Sequence, residues 1–140
     1  MSTFADTADP NRAARVKTVA APVPQIIDNI ARDPNVRGAV VVSRDGLLLG
    51  SSGQNEDVAE MMGATAAAIL ALLDRHILAL GAGDTCSAQI DFDQDTLLLK
   101  DCGEAIITVR AQRTADLTNV KLAMRGAARD IRAWFASLGQ

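Results

Sequence analysis

The spacing of hydrophobic residues changes several times along the chain, and these changes predict its helices and strands. Ile26, Ile27 and Ile30 share one face of a short helix, which Pro34 ends because the residue before a proline disfavours helical backbone. The run Val36–Ser43 predicts a strand. Asp45-Gly46, followed by the apolar residues 47–49, then predicts a hairpin, because both turn positions favour positive φ.

A long central helix, called the middle helix below, is predicted from Glu56 to Leu80. Asn55 or Ser52 would cap its first turn, and the Gly-rich stretch 81–83 ends it. Alternating apolar and polar residues from Cys86 to Phe92 then predict a half-buried strand.

Two further strands, 96–100 and 105–111, and a closing helix, 116–137, complete the predicted order. The apolar stripe of the closing helix consists of Leu117, Val120, Met124, Ala127, Ile131 and Trp134 or Phe135. The order α-β-β-α-β-β-β-α predicts an α+β fold, in which hairpin-connected strands form a mainly antiparallel sheet covered by helices. We place one domain at 22–140 and interpret 1–21, which is polar and lacks periodicity, as a flexible tail.

The composition excludes several classes of function. Hydrophobic residues make up 49% of the 140 residues but aromatic residues only 3%, so the core must be aliphatic. The net charge of −3 argues against nucleic-acid binding, which needs clustered cations. The longest uncharged run of the middle helix, 61–73, is shorter than the roughly 20 residues of a membrane span, and 1–20 contains no apolar block. We therefore expect a cytoplasmic protein with no membrane span.

No motif for catalysis, a cofactor or a metal is recognisable in the sequence. Cys86 and Cys102 form no CxxC pair; we interpret both as small buried residues that stay reduced, roughly opposite each other if the turn centres near Gln94. His76 lies on the predicted core-facing side of the middle helix, as a packed or interface residue. The spacing of Asp91, Asp93 and Asp95 resembles the start of a calcium loop, but the required Gly and the closing Glu are missing.

The middle helix is apolar almost all the way round. Its predicted inner side carries Val58, Met62, Ile69, Leu72, Leu73 and Ile77. Its predicted outer side carries Glu60, Ala64, Ala67, Ala71, Asp74, Arg75 and Leu78, flanked by Gly63 and Ala68. A helix of this kind is usually buried on two sides, and small residues let a second backbone approach closely. We therefore predict a protein interface, although the helix propensity of alanine is an alternative reason for this composition.

The closing helix carries a row of basic residues, Lys121, Arg125 and Arg129, on the side opposite its apolar stripe. The simplest interpretation is a solvated face, and contact with an acidic partner is the alternative.

Two segments resemble a known family. The segment Val36-Arg37-Gly38-Ala39-Val40-Val41-Val42-Ser43-Arg44-Asp45-Gly46-Leu47 is similar to the opening of the roadblock (dynein light chain, roadblock-type) family, in its bacterial and archaeal MglB-like branch. The segment Leu117-Thr118-Asn119-Val120-Lys121-Leu122-Ala123-Met124-Arg125 resembles its closing helix. The resemblance covers about residues 22–136.

The resemblance implies a roadblock/longin-like fold: a five-stranded antiparallel sheet with the middle helix on one face and the terminal helices on the other. It also implies a homodimer in which the third strands pair edge to edge and the middle helices lie side by side. The implied function is that of a scaffold, without an active site or a cofactor, that binds and regulates a Ras-like small GTPase. An adaptor subunit of a larger complex and a small-ligand sensor are the alternatives. The candidate partner or dimer residues are Glu60, Gly63, Ala64, Ala67, Ala68, Ala71, Asp74, Arg75, Leu78, Ser87 and Gln89.

Overall fold

The computed structural model describes residues 22–139, and in this part of the chain the element order is the predicted one. The elements are α1 (Val23–Ala31), β1 (Val36–Ser43), β2 (Leu48–Ser52), α2 (Glu56–Ile77) with a 3-10 turn (Leu78–Leu80), β3 (Ser87–Asp91), β4 (Asp95–Asp101), β5 (Ala105–Gln112) and α3 (Thr118–Leu138). The predicted flexible tail, residues 1–21, lies outside the described residues.

The five strands form one antiparallel sheet in the order β2-β1-β5-β4-β3. β1 and β5 lie in the middle and are buried on both faces, which is why the run Ala39-Val40-Val41-Val42 shows no polar alternation. Val40 and Val42 pack on one face, and Ala39 and Val41 pack on the other.

α1 and α3 cover one face of the sheet, and the largest group of buried apolar residues lies between them and the strands. The predicted stripe of α3 is buried from Leu117 to Ile131, and Phe135 packs partly against the same core. The prediction of an α+β fold, with a five-stranded antiparallel sheet and helices on both faces, is confirmed.

α2 covers the other face, but it is rotated from its predicted orientation. Its sheet-facing residues are Ala59, Met62, Gly63, Ala66 and Leu70. The predicted inner residues Leu72 and His76 are exposed, so that part of the prediction is wrong. The valine side chains of β1 project from the sheet towards α2. The helix comes closest to the sheet where its own side chains are small.

The contact at Gly63 shows how close this approach is. A Cβ at this position would lie 3.1 Å from Cγ2 of Val42, which is tighter than ordinary van der Waals contact. The ends of the helix follow the sequence signals: the side chain of Asn55 accepts a hydrogen bond from the Val58 N–H at 2.9 Å, and Gly81 ends the 3-10 turn with φ 66°.

The two cysteines lie on opposite faces of the sheet, because the register of the β3–β4 hairpin differs by one residue from the predicted one. Ser87 pairs with Lys100, so Cys86 lies opposite Asp101 and not opposite Cys102. Both thiols are free; Cys102 is buried as expected, whereas Cys86 is exposed, which corrects the prediction that both are buried.

Burial raises the pKa of the Cys102 thiol to about 12. We therefore expect a thiol reagent at about pH 8 to modify one thiol per folded chain, Cys86, and both thiols in denaturant, because the thiolate is the reactive form. Cys86→Ser should remove the fast reaction, and Cys102→Ser should leave it unchanged. Equal rates for the two thiols in the folded protein would contradict this placement.

Candidate functional site

The outward face of α2 carries apolar side chains where a helix on a protein surface usually carries charges. The exposed fractions are 64% for Met61, 53% for Leu72 and 75% for Leu78. The alanines at 64, 68 and 71 lie between them and are also exposed. A contiguous apolar surface of this kind is a candidate for contact with another molecule.

By length and composition alone, α2 and its 3-10 turn would also be long and apolar enough to cross a membrane. The mean hydropathy of an 18-residue window in Glu56–Leu80 is 1.5, and only 22% of that window is buried. One side of α2 packs on the sheet, so the fold explains the apolar residues on that side. Because so little of the window is buried, the other side of the helix is uncovered.

The structure divides the predicted interface residues of α2 into two groups. Exposed residues on its outward side are Glu60, Ala64, Ala68, Ala71, Arg75 and Leu78. Gly63 is buried over Val42, so it faces the sheet and not an outside partner. Ala67 packs half-buried against the core, and Asp74 is held within the chain by Arg44. Helical spacing alone did not separate these three from the exposed group.

The two sides of the outward face point towards different edges of the sheet. Ile69 and Leu73 belong to the same apolar cluster as Ala88 of β3 and Leu97 of β4. Gly63 lies over Val42 of β1, and a Cβ there would be 3.9 Å from Cδ1 of Leu48 on β2. The helical repeat therefore places one set of exposed residues on the side nearer β3: Met61, Thr65, Ala68, Leu72 and His76. We call this set the seam.

The other exposed residues from Glu60 to Leu78 lie further from β3. They are Glu60, Ala64, Ala71, Arg75 and Leu78, and we call this set the platform. Sequence reasoning identified all five platform residues as interface candidates. Of the seam residues, only Ala68 was among the interface residues predicted from the sequence. Leu72 was instead assigned to the core.

β3 is an edge strand, paired on one side with β4. The side chains of Ser87 and Gln89 are exposed on it, as the sequence predicted for interface residues. The other edge of β3 has no partner within the described residues, and such an edge can accept a further strand.

Charged side chains connect α2 to the end of the sheet and to α3. Arg44, in the β1–β2 turn, lies 3.2 Å from the Asp74 carboxylate and also pairs with Asp101 at the end of β4. Nη2 of Arg132 on α3 lies 2.7 Å from Oδ2 of Asp101. Asp101 therefore joins elements from both faces of the sheet, a role that no sequence signal indicated.

Two of the three aspartates with calcium-like spacing serve other contacts. Asp95 is paired with Arg37 at 2.7 Å and Arg110 at 2.5 Å. Asp91 accepts hydrogen bonds from Thr96 and Gln89, which lower its pKa. Among residues 22–139, no group of three or more His, Cys, Asp or Glu side chains is arranged to hold a metal ion.

The fold defines a class: a five-stranded antiparallel sheet with one long helix on one face and two terminal helices on the other. The sequence profile of the Roadblock/LC7 domain matches residues 23–111, from α1 through β5. The chain belongs to this family, which confirms the resemblance seen in the sequence.

Individual relatives agree with this assignment. An uncharacterized protein of Methanocaldococcus jannaschii is 26% identical over 113 residues, which cover 81% of this chain and 99% of the relative. The Roadblock/LC7 domain of Streptomyces avermitilis has a TM-score of 0.75 at 23% identity, covering 80% of this chain and 96% of that one. Myxococcus xanthus MglB has a TM-score of 0.78 at 19% identity, with coverage of 85% and 91%. At these identities, the likeness to the two solved structures concerns the fold.

The connection through Asp101 can be tested by its effect on stability. We expect Asp101→Asn to lower the free energy of unfolding by about 1–3 kcal/mol, because it removes the charge that pairs with Arg44 and Arg132 while leaving both cations partly hydrated. Arg129→Gln breaks an exposed pair with Asp130, 3.8 Å long, and should cost less than about 0.5 kcal/mol. Urea unfolding measures both, and equal effects would contradict a stabilising role of Asp101.

Proposed function

We propose that this chain is a homodimeric scaffold, without an active site of its own, that binds and regulates a Ras-like small GTPase in the cytoplasm. The observation that carries the proposal is the uncovered apolar face of α2 beside the free edge of β3. Family membership supports a role as regulator or adaptor, and the exposed free thiol of Cys86 fits a reducing compartment.

The dimer would form through the seam and β3. Two β3 strands related by a two-fold axis would pair along their free edges and extend the sheet across both protomers. The seams would then face each other, where Ala68 allows close approach and Met61 and Leu72 bury apolar surface. This arrangement gives the uncovered side of α2 the second contact that its composition requires.

The GTPase would dock on the two platforms, which remain outside when the seams are covered. Glu60 and Arg75 place opposite charges at the two ends of each platform, and small apolar residues lie between them. Such a surface suits a reversible contact: the alanines give modest apolar burial, and the charges orient the partner. If the two platforms lie close together across the two-fold axis, one GTPase would cover both.

The adaptor alternative predicts the same dimer but no dependence on nucleotide. A small-ligand sensor would need an enclosed polar pocket. Two cavities within residues 22–139, one beside β3 and one beside Phe92, are open grooves. Dependence of binding on the bound nucleotide therefore separates the proposed regulator from both alternatives.

The dimer is tested by placing a charge in the seam. Leu72→Glu should convert the dimer to monomer at micromolar concentration, because two carboxylates would be buried at the two-fold axis. Leu122 on α3 is equally exposed, at 55% against 53%, so Leu122→Glu is the matched control and should stay dimeric. Light scattering measures the mass; a monomeric wild-type chain, or equal behaviour of the two variants, would contradict the seam.

Partner binding is tested by reversing a platform charge. Immobilised protein should retain a Ras-like GTPase from native cell extract in one nucleotide state, GTP or GDP, more strongly than in the other. Arg75→Glu should weaken the purified complex about tenfold, because it replaces attraction by repulsion without breaking an internal contact. Asp74 is unsuitable for this test, since its substitution also breaks the pair with Arg44.

Arg129→Glu, on α3, is the control and should leave binding unchanged. GTP hydrolysis and nucleotide release, measured with and without the scaffold, then distinguish activation from exchange. Binding that is unaffected by Arg75→Glu would exclude the platform, and binding that ignores the nucleotide would favour the adaptor.

A further inference from the structure

A groove on the other face of the sheet is built from three elements. Ser87 and Gln89 of β3 and their cross-strand partners Lys100 and Leu98 of β4 form its base. Residues three and four positions apart on α3 form its side: Lys121, Met124 and Arg125. The groove holds about 260 Å³ and lies on the face opposite α2. All these residues come from one chain, so the groove is complete in a single protomer.

The groove concentrates positive charge in a chain whose net charge is −3. Lys100, Lys121 and Arg125 line it, and within the described part of the chain no carboxylate lies within 4.0 Å of any of the three. By contrast, Arg44, Arg110 and Arg132 each pair with an aspartate.

One carboxylate close enough to be influenced by this cluster is that of Asp91, the last residue of β3. Hydrogen bonds from Thr96 and Gln89 lower its pKa, and Lys121 contributes to the same shift through its charge. The Asp91 carboxylate accepts its hydrogen bonds within the β3–β4 hairpin. The three cations of the groove therefore have no close carboxylate partner among the described residues.

The base of the groove is apolar beneath this charged rim. Leu98 and Met124 are almost completely buried and contribute to the main core, while Ser87 and Gln89 offer a hydroxyl and an amide at the surface. The volume is below the roughly 300–1,000 Å³ of pockets that enclose a small molecule. An open groove with two strands below it and a helix beside it suits a few side chains of an extended segment.

We propose that this groove binds an acidic, extended segment of a partner protein. Its carboxylates would pair with Lys100, Lys121 and Arg125, and an apolar side chain between them would contact Met124. Sequence spacing placed Lys121 and Arg125 in one row with Arg129, but the fold brings Lys100 to the first two and leaves Arg129 beside Asp130. The groove shares β3 with the proposed dimer but contains no residue of the seam or the platform, so its test is separate from that of GTPase binding.

The test is a selection from a library of short random peptides displayed on phage, with the full chain immobilised. We expect the enriched sequences to alternate Asp or Glu with apolar residues. A labelled synthetic peptide from this selection should bind about tenfold more weakly to the double variant Lys121→Gln/Arg125→Gln and to the single variant Lys100→Gln, by fluorescence anisotropy. Its affinity should fall when NaCl is raised from about 50 to about 300 mM.

The control removes the same number of charges from exposed positions outside the groove, one directly after α1 and one on α3. The double variant Arg32→Gln/Arg129→Gln should bind the peptide within about twofold of the wild type, and all variants should keep the wild-type thermal midpoint. If both double variants bound the peptide equally weakly, the change in net charge alone would explain the effect, and the proposal would be overturned. It is equally overturned if no acidic sequence is enriched, or if millimolar inorganic phosphate displaces the peptide fully, which would mark a site for small anions.

Discussion

The pairing of β1 with β5 in the middle of the sheet is the constraint on which the other elements depend. Both strands are buried on both faces, so each face needs its own helical cover. α1 and α3 cover one face and α2 covers the other, and neither layer could be removed without exposing valines and isoleucines to water. The hairpins β1–β2 and β4–β3 then extend the sheet on either side of this centre.

This constraint also decides which side of α2 meets the sheet. The valine side chains of β1 project towards α2. The helix lies closest to them at its small residues, Ala59, Gly63 and Ala66. With this side of the helix on the sheet, the helical repeat places Met61 and Leu72 on the outward side. The apolar surface proposed for the dimer is thus a result of packing on the other side of the same helix.

The two faces of the sheet offer different surfaces. The α2 face is mainly apolar and suits a second copy and a reversible partner, while the groove between α3 and β3 combines three cations with an apolar base. Asp101 connects elements on both faces through Arg44 and Arg132. Arg44 also pairs with Asp74 near the end of α2, so Asp101 is connected to this helix through Arg44.

The sequence by itself determined the element order and the first hairpin turn, while the placement of helices on both faces followed from the resemblance to the roadblock family. The element order and this turn depend on local signals: the period of the apolar residues, Asn55 at the start of α2, and glycines where φ is positive. It also indicated that α2 needs cover on two sides. The apolar composition of a helix is visible in the sequence even when the side that meets the sheet is unknown. The Roadblock/LC7 family could be recognised from the same local pattern around the first hairpin.

Only the tertiary structure decided which residues meet across elements. The rotation of α2 depends on side-chain volume opposite it, so Gly63 faces the sheet and Leu72 does not. A shift of one residue in the β3–β4 register separated Cys86 from Cys102. The groove needed Lys100 from β4 beside Lys121 from α3. Each of these contacts joins residues distant in sequence, and their distances are fixed by packing, which periodicity along one chain does not encode.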